Sequence, residues 1–145
     1  MLNEAAVQAL ALRYLRWATE RGLTQAERTR HRFEGRILTR DVVFATGLGG
    51  STPSPPQIIV STALAVEAPV LLTRRREPPP SKTTTLLREV LDATGEGVRN
   101  LGLTSRFVRI TFNPEVEPEL FDVALDAVEE RLRLLTGAGD LPYRG

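Results

Sequence analysis

The stretch Gln57–Arg76, QIIVSTALAVEAPVLLTRRR, is the longest apolar run in this chain, and the predicted fold is built around it. The run is rich in β-branched residues, whose side chains crowd a helix and suit the pleated surface of a sheet. Pro56 precedes it, and Pro69 divides it into two halves of strand length. Because proline has no backbone N–H to donate, it is expected at a turn or a strand start. The run therefore predicts two neighbouring strands at the centre of one small sheet.

Side chains in the first half of this run alternate between two faces. One face carries mostly branched side chains, and the other carries smaller ones: Ile58, Val60, Thr62, Leu64 and Val66 on the first, and Ile59, Ser61, Ala63 and Ala65 on the second. The second face is small but hardly polar. This pattern predicts a central strand with helices packed on one side and a shallow covering on the other.

A helix is predicted at the start of the chain, where Asn3 is a suitable N-cap and Gly22 a suitable stop. Apolar residues repeat at helical spacing between them and form one stripe: Val7, Leu10, Ala11, Tyr14, Trp17 and Ala18. Trp17 is the only tryptophan in the chain. Its place on the stripe predicts that it anchors the core.

Two further helices are predicted. Thr83–Leu101 has an inward stripe of apolar residues, and its cap is one of the three threonines at 83 to 85. Gly95 and Gly97 weaken this helix by up to about 1 kcal/mol each relative to alanine, so the pattern is compatible with a break there, or with an early end and a restart. The last helix begins at Pro118, because proline suits the first turn, and stops at Gly137.

The remaining elements are predicted strands and one turn. Arg32–Thr39 is a strand with Phe33 and Ile37 inward and with Arg32, Glu34 and Arg36 outward. Val42–Thr46 is either a second short strand or a continuation of the first. Arg106–Phe112 alternates most cleanly, with Val108, Ile110 and Phe112 inward and with Phe107, Arg109 and Thr111 outward. Thr24–Glu27 has the spacing of a capping box and predicts a short helical turn.

These elements predict an α+β fold in the order α-β-β-β-(β)-α-β-α. We expect a small antiparallel or mixed β-sheet of about four to five strands, with three helices mostly packed on one face. Residues 1–137 are predicted to form a single domain, and residues 138–145 a short C-terminal tail. The loop Gly47–Pro56 is predicted to run over the surface, either as a mobile arm or lid or as a long connection.

The composition excludes several classes of protein. The chain has 145 residues, a formal net charge of +1 and no cysteine, which rules out a disulfide scaffold, a thiolate metal site and a cysteine nucleophile. The first segment is amphipathic rather than a signal peptide, and no apolar segment reaches the ~20 residues that span a bilayer. A soluble cytoplasmic protein without membrane contact is therefore expected. Lys82 is the only lysine, and amide side chains are sparse, which is compatible with a thermophilic source.

No constellation of reactive groups predicts catalysis. His31 is the only histidine and lies among arginines, which repel a metal cation. The segment Pro80–Thr84 lacks the glycines of a phosphate-binding loop, and Gly47–Gly50 lacks the frame of a dinucleotide-binding loop. Asp122 and Asp126 are one helical turn apart without a histidine nearby, so they are read as a solvated face. We therefore expect a protein that is not an enzyme and that uses no cofactor and no metal.

Arginines and a few outward aromatic and apolar residues supply the candidate partner-binding surface, because arginine is well suited to carboxylate and phosphate groups at interfaces. The candidates are Arg32, Arg36, Arg40, Arg74, Arg75, Arg76, Phe107, Arg109, Leu141 and Tyr143. If the two strands that carry the arginine clusters are neighbours, their side chains form one positive surface.

Two classes of function remain. The first is a non-enzymatic protein-binding or assembly module that works as a homo-oligomer through a sheet edge, the arginine surface and the C-terminal tail. The predicted element order resembles that of small secretion chaperones and of phage neck or tail-terminator proteins, which present a sheet or ring surface to partners. The alternative is a nucleic-acid-binding accessory protein that uses Arg28–Arg40 and Arg74–Arg76. Exposed aromatics for stacking on single strands are scarce, which favours the first class.

Overall fold

The computed structural model describes residues 3–26, 32–46, 55–77 and 80–135. Its elements follow the chain as α1 (Glu4–Glu20), β1 (Thr24–Gln25), β2 (Arg32–Ile37), β3 (Arg40–Ala45), β4 (Gln57–Ser61), β5 (Val70–Leu72), α2 (Lys82–Thr94), a 3₁₀ turn (Gly95–Gly97), β6 (Val98–Leu103), β7 (Phe107–Phe112) and α3 (Glu119–Leu135). The predicted α+β class with three helices is confirmed within these residues. The predicted sheet of about four to five strands is wrong, because the described residues alone form a sheet of seven strands.

The sheet has the strand order β1-β2-β3-β4-β7-β6-β5, and all neighbouring pairs are antiparallel. The central place of β4 is confirmed, but the prediction that β5 neighbours it is wrong. β7 occupies the side of β4 away from β3, with Ile58 opposite Ile110. The chain leaving β4 then follows the turn between β6 and β7, where the backbone N–H of Thr62 donates to Arg106 O at 2.9 Å. This path carries the chain past β7, so that β5 pairs with the outer side of β6 and forms an edge of the sheet.

The predicted second helix is too long, because Gly95–Gly97 form a 3₁₀ turn and Val98–Leu101 belong to strand β6. Ser81, and not one of the predicted threonines, caps α2 by accepting a hydrogen bond from the Thr84 N–H at 3.1 Å. The helix ends at Gly95, whose φ of 72° lies in the left-handed region that favours glycine. The alternation that would have indicated β6 in the sequence is interrupted by a register shift between Val98 and Asn100. A shift of one residue moves the side chains after it to the opposite faces of the sheet, so the buried residues of β6 do not alternate strictly.

Two other sequence interpretations are settled by strand pairing. A helical turn was predicted for Thr24–Glu27, of which Glu27 lies outside the described residues. The prediction is wrong, because Thr24 and Gln25 pair with β2 as a two-residue strand. Strand pairing satisfies their backbone groups and so prevails over the local capping signal. Of the two interpretations of Val42–Thr46, the separate strand is the one observed, since Ile37 pairs directly with Arg40 across a tight hairpin turn.

One aromatic cluster joins two of the helices to the middle of the sheet. Phe121 of α3 lies at its centre, with ring centroids 4.8 to 5.1 Å from those of Tyr14, Trp17, Phe44 and Phe112. The inward side chains of β3, β4 and β7 are almost fully buried beneath the helices. Helix α2 packs beside α3 and over β6. All three helices of the described chain therefore cover the same face of the sheet. The opposite face has none of these helices on it.

Polar contacts of α1 and its C-cap with α3 and the segment just before it border this cluster. The Tyr14 hydroxyl donates a hydrogen bond to Val116 O at 2.7 Å, and burial raises the pKa of this phenol well above its ordinary value, so it stays protonated. The Trp17 indole N–H donates to Asp122 Oδ1 at 3.1 Å, and the Arg21 guanidinium binds both oxygens of the same carboxylate. Trp17 is 4% exposed, which confirms its predicted place in the core.

Candidate protein-binding surface

The face of the sheet opposite the helices carries the outward side chains of β2 to β7, and we call it the open face. It comprises Arg32, Glu34, Arg36, Asp41, Val43, Ala45, Gln57, Ile59, Ser61, Leu71, Asn100, Gly102, Phe107, Arg109 and Thr111. All of these residues are exposed or half-buried, except for Thr111, which is buried. No helix in the described parts of the chain covers this face.

The centre of the open face is apolar. Strand register aligns Val43 with Ile59 and Ile59 with Arg109, so three neighbouring strands present one row of side chains. Phe107 lies beside this row, and the Arg109 guanidinium is 5.3 Å from the centroid of its ring. At this distance the guanidinium cation and the face of the ring attract each other. The predicted outward positions of Phe107 and Arg109 are confirmed, and the structure brings these two candidate residues together.

Ion pairs border this centre on the side of β2 and β3. Arg32 Nε lies 2.9 Å from Glu34 Oε2, and Arg36 Nη1 lies 3.4 Å from Asp41 Oδ1. A shallow depression of about 400 Å³ lies among these charges. Because each arginine has a carboxylate beside it, this border is close to neutral, and it is suited to a partner surface of mixed charge rather than to a polyanion.

Two of the predicted surface arginines are engaged inside the fold. Arg40 at the start of β3 reaches α3, where its Nε lies 2.6 Å from Glu129 Oε1, and its Nη1 lies 3.2 Å from the Thr62 hydroxyl. The side chains of Arg40 and Glu129 are only 18% and 10% exposed. Arg133 completes the group through its Nε, 3.0 Å from Glu129 Oε2. Arg40 therefore ties the sheet to α3.

Arg74 likewise has a structural position. Its guanidinium donates hydrogen bonds to Leu91 O at 2.7 Å and to Val98 O at 2.5 Å, and a further one to Gly95 O. These carbonyls lie at the C-terminal end of α2 and the start of β6, where helix carbonyls lack partners and a positive charge is favourable. Its neighbours Arg75 and Arg76 are exposed. In this triplet Arg74 is half-buried and bound to backbone carbonyls, whereas Arg75 and Arg76 are surface charges.

Replacement of Arg74 by alanine should lower the free energy of unfolding by about 2 kcal/mol, because hydrogen bonds from a charged donor are lost and buried carbonyls are left without partners. Chemical denaturation measures this change. Arg75→Ala is the matched control, and it should stay within about 0.5 kcal/mol of the unmodified protein, as exposed substitutions usually do. Equal effects of the two substitutions would contradict the structural role of Arg74.

The two arginine clusters do not form one surface. β2 and β5 are separated by five strand spacings in the sheet, or roughly 24 Å at about 4.8 Å per spacing. A combined positive surface required these two strands to be neighbours, and they are not. Leu141 and Tyr143, together with Arg28, Arg30 and His31, lie outside the described residues.

The candidate residues predicted from the sequence did not include the large aliphatic members of the open face, Val43, Ile59 and Leu71. Strand alternation already placed Ile59 opposite to Ile58, but the pairing that aligns it with Val43 and Arg109 is not readable from one strand. Among the described residues, no group of three or more histidine, aspartate or glutamate side chains is arranged to hold a metal ion. No described helix is both long and apolar enough to cross a membrane.

The fold defines a class of α+β proteins in which a layer of helices covers one side of an antiparallel sheet. No protein-family model and no curated protein sequence matches this chain. A solved structure with a similar fold is the crystal structure of the mycobacterial trehalose monomycolate transport factor A, TtfA. The likeness covers 94% of this chain and 99% of that chain, with a TM-score of 0.56 and 12% sequence identity. At this identity the likeness concerns the fold alone.

Proposed function

We propose that this protein is a non-enzymatic binding module that receives a protein partner on the open face and associates with itself through a sheet edge. The observation that carries this proposal is the apolar centre of the open face, formed by Val43, Ile59 and Phe107 with Arg109 above the ring. Apolar and aromatic groups at the centre of a patch, with charged residues around them, are typical of protein-binding surfaces.

The fold likeness suggests which kind of binding role to propose. TtfA is described as a transport factor. We therefore propose that the present protein assists transport or assembly by holding another protein, with the C-terminal tail 138–145 contributing to that contact.

The nucleic-acid alternative lacks a specific observation in its favour. A polyanion needs several unpaired cations on one continuous surface. Arg32 and Arg36 have carboxylates beside them, Arg40 and Arg74 are engaged within the fold, and the two clusters lie at different ends of the sheet. Contact with a protein of mixed charge is therefore the better-supported function.

Site-specific photo-crosslinking tests the proposed binding face. A photoreactive phenylalanine analogue at Ile59 should yield a covalent protein adduct in cells that express the full chain at its natural level, and mass spectrometry should identify the same partner in repeated experiments. The analogue at Asp126, an exposed position on α3, is the matched control and should yield no such adduct. Thermal denaturation of both variants verifies that they are folded.

Each outcome of this experiment is informative. An adduct that forms at Ile59 and is lost when Arg109 is replaced by glutamate supports the open face as the binding surface. Adducts that are absent at Ile59, or equally abundant at Asp126, contradict it. Removal of residues 138–145 should reduce the adduct if the tail contributes.

A further inference from the structure

A notch interrupts the open face between two of its exposed side chains. Strand register places Gly102 of β6 between Leu71 of β5 and Arg109 of β7, so these three residues lie in one row across the sheet. Leu71 and Arg109 are both exposed, whereas Gly102 has no side chain to fill the space between them. At about 4.8 Å per strand spacing, the two flanking strands are roughly 10 Å apart. The notch therefore has room for one side chain of a partner.

Arg109 is an arginine of the open face that has no carboxylate beside it. Two other arginines of this face, Arg32 and Arg36, each lie beside an acidic side chain. Among the described residues, no ion pair and no side-chain hydrogen bond involves Arg109. Its guanidinium donors are therefore available to a group from outside the described chain.

A partner that covers the apolar centre of the open face also removes water from Arg109. Arg109 lies directly opposite Ile59 in the strand register, and its guanidinium is 5.3 Å from the centroid of the Phe107 ring. A surface that buries these two apolar side chains therefore covers the guanidinium as well. Burial of a charge is costly unless an opposite charge or hydrogen-bond acceptors accompany it. The covering surface must therefore supply an acceptor group at this point.

We propose that the open face binds a protein segment in which an aspartate or glutamate stands next to a large apolar residue. The carboxylate of the partner pairs with the Arg109 guanidinium. The neighbouring apolar side chain enters the notch above Gly102, between Leu71 and the aliphatic stem of Arg109. This inference rests on the proposed function, because it specifies the chemistry of the partner that the open face receives.

A carboxylate suits this position better than the phosphates of a nucleic acid do. Arg109 is a single cation, and the guanidinium donors match the two oxygens of one carboxylate. A nucleic acid would bring several phosphates onto the same face, where Glu34 and Asp41 are exposed acidic side chains. Leu71 and the stem of Arg109 give the notch apolar walls, which suit a side chain of a protein.

Selection from random peptides displayed on phage tests the chemistry of the partner. On the folded full chain, the recovered peptides should contain aspartate or glutamate next to leucine, phenylalanine or another large apolar residue. On Arg109→Glu, basic residues should replace the acidic ones, because the charge that they face is reversed. Arg16→Glu makes the same change of charge at an exposed position of α1, so it is the matched control and should recover the acidic peptides.

Fluorescence anisotropy with the most frequently recovered peptide measures the affinity. Arg109→Glu should weaken binding at least about tenfold at low salt, and Arg16→Glu should leave it within about twofold of the original. Recovered peptides without an acidic residue, or no recovery above background, would overturn the proposed partner chemistry. Displacement of the bound peptide by an equal concentration of short single-stranded DNA would indicate phosphate binding and would also overturn it.

Substitutions at Gly102 test the notch without changing a charge. Apart from its chain neighbours, a Cβ atom at this position would meet only Arg109 Cβ within 4 Å, at the ordinary contact distance of 3.8 Å. Gly102→Phe fills the notch and should weaken peptide binding at least about tenfold, whereas Gly102→Ala leaves most of it open and should stay within about threefold. Thermal denaturation verifies that both variants are folded. Equal affinities of the two would contradict the notch as a binding position.

The outcomes separate this inference from the proposed function. If the photoreactive group at Ile59 captures a partner in cells and Arg109→Glu captures it equally well, the carboxylate pairing is wrong and the open face stands. If acidic peptides bind in a manner that depends on Arg109 but no adduct forms at Ile59 in cells, the pairing stands and the proposed function is wrong.

Discussion

Replacement of Phe121 by alanine should lower the free energy of unfolding by about 3–5 kcal/mol, the range found when large buried aromatic side chains are removed. The Phe121 ring is fully buried and contacts four other aromatic rings, two on α1 and two on the sheet. Its loss removes the central contact of the cluster and leaves a cavity that the surrounding rings cannot fill without leaving their own packing. Domains of this size are commonly stable by about 5–15 kcal/mol in total, so the loss is a large fraction.

Urea denaturation followed by tryptophan fluorescence measures this effect well, because Trp17 lies against Phe121 with ring centroids 5.0 Å apart. Val123→Ala is the matched control, since Val123 lies on the same helix and is 47% exposed. It should change the free energy by less than about 0.5 kcal/mol. A loss below about 1 kcal/mol for Phe121→Ala would contradict the central place of Phe121 in the core.

Replacement of Glu129 by glutamine should be destabilising by about 3 kcal/mol, because it leaves the Arg40 guanidinium in a largely buried site without its counter-charge. The Arg40 side chain is 18% exposed, and its Nε lies 2.6 Å from Glu129 Oε1. Glutamine has nearly the same shape as glutamate, so the substitution removes the charge with little change in packing. Chemical denaturation at neutral pH measures the difference.

Glu130→Gln is the matched control for this prediction. Glu130 is the next residue of α3, and its side chain is 69% exposed. Its partner Arg131 is 17% exposed but keeps a second carboxylate, Glu89, whose Oε1 lies 3.5 Å from Arg131 Nη2. Glu130→Gln should cost less than about 1 kcal/mol. The double variant Arg40→Met/Glu129→Leu should recover most of the stability lost in Glu129→Gln, because it removes both charges and retains apolar volume. Failure of that recovery would show that the ion pair is not the cause of the loss.

The division of the arginines into buried and exposed groups illustrates what a single sequence can predict. The positions of Phe107 and Arg109 on an outward face followed from strict alternation within one strand, and this was confirmed. Arg40 and Arg74 were predicted to be surface groups because arginine is usually exposed. Their burial depends on Glu129 and on Leu91 O, which are distant in the chain, and no local pattern signals such a partner.

The sequence by itself determined the local structure of this protein. The 3.6-residue period of the first and last helices, the alternation of β2, β4 and β7, and the N-cap at Asn3 all follow from preferences that act within a few residues. For the same reason, the α+β class and the single helix layer were predictable. The local signal failed at β6, where the register shift interrupts the alternation, and at β1, where a capping signal lies in a two-residue strand.

Only the tertiary structure decided which strands are neighbours. β4 and β5 are adjacent in sequence, yet β7 and β6 lie between them, because pairing is governed by contacts between residues far apart in the chain. That order separates the two arginine clusters, aligns Val43 with Ile59 and Arg109 on the open face, and leaves Leu71 at a free edge. The physical reason is that backbone hydrogen bonds between strands carry little information about side-chain identity. The partner of each strand is therefore selected by the packing of the whole sheet against its helices.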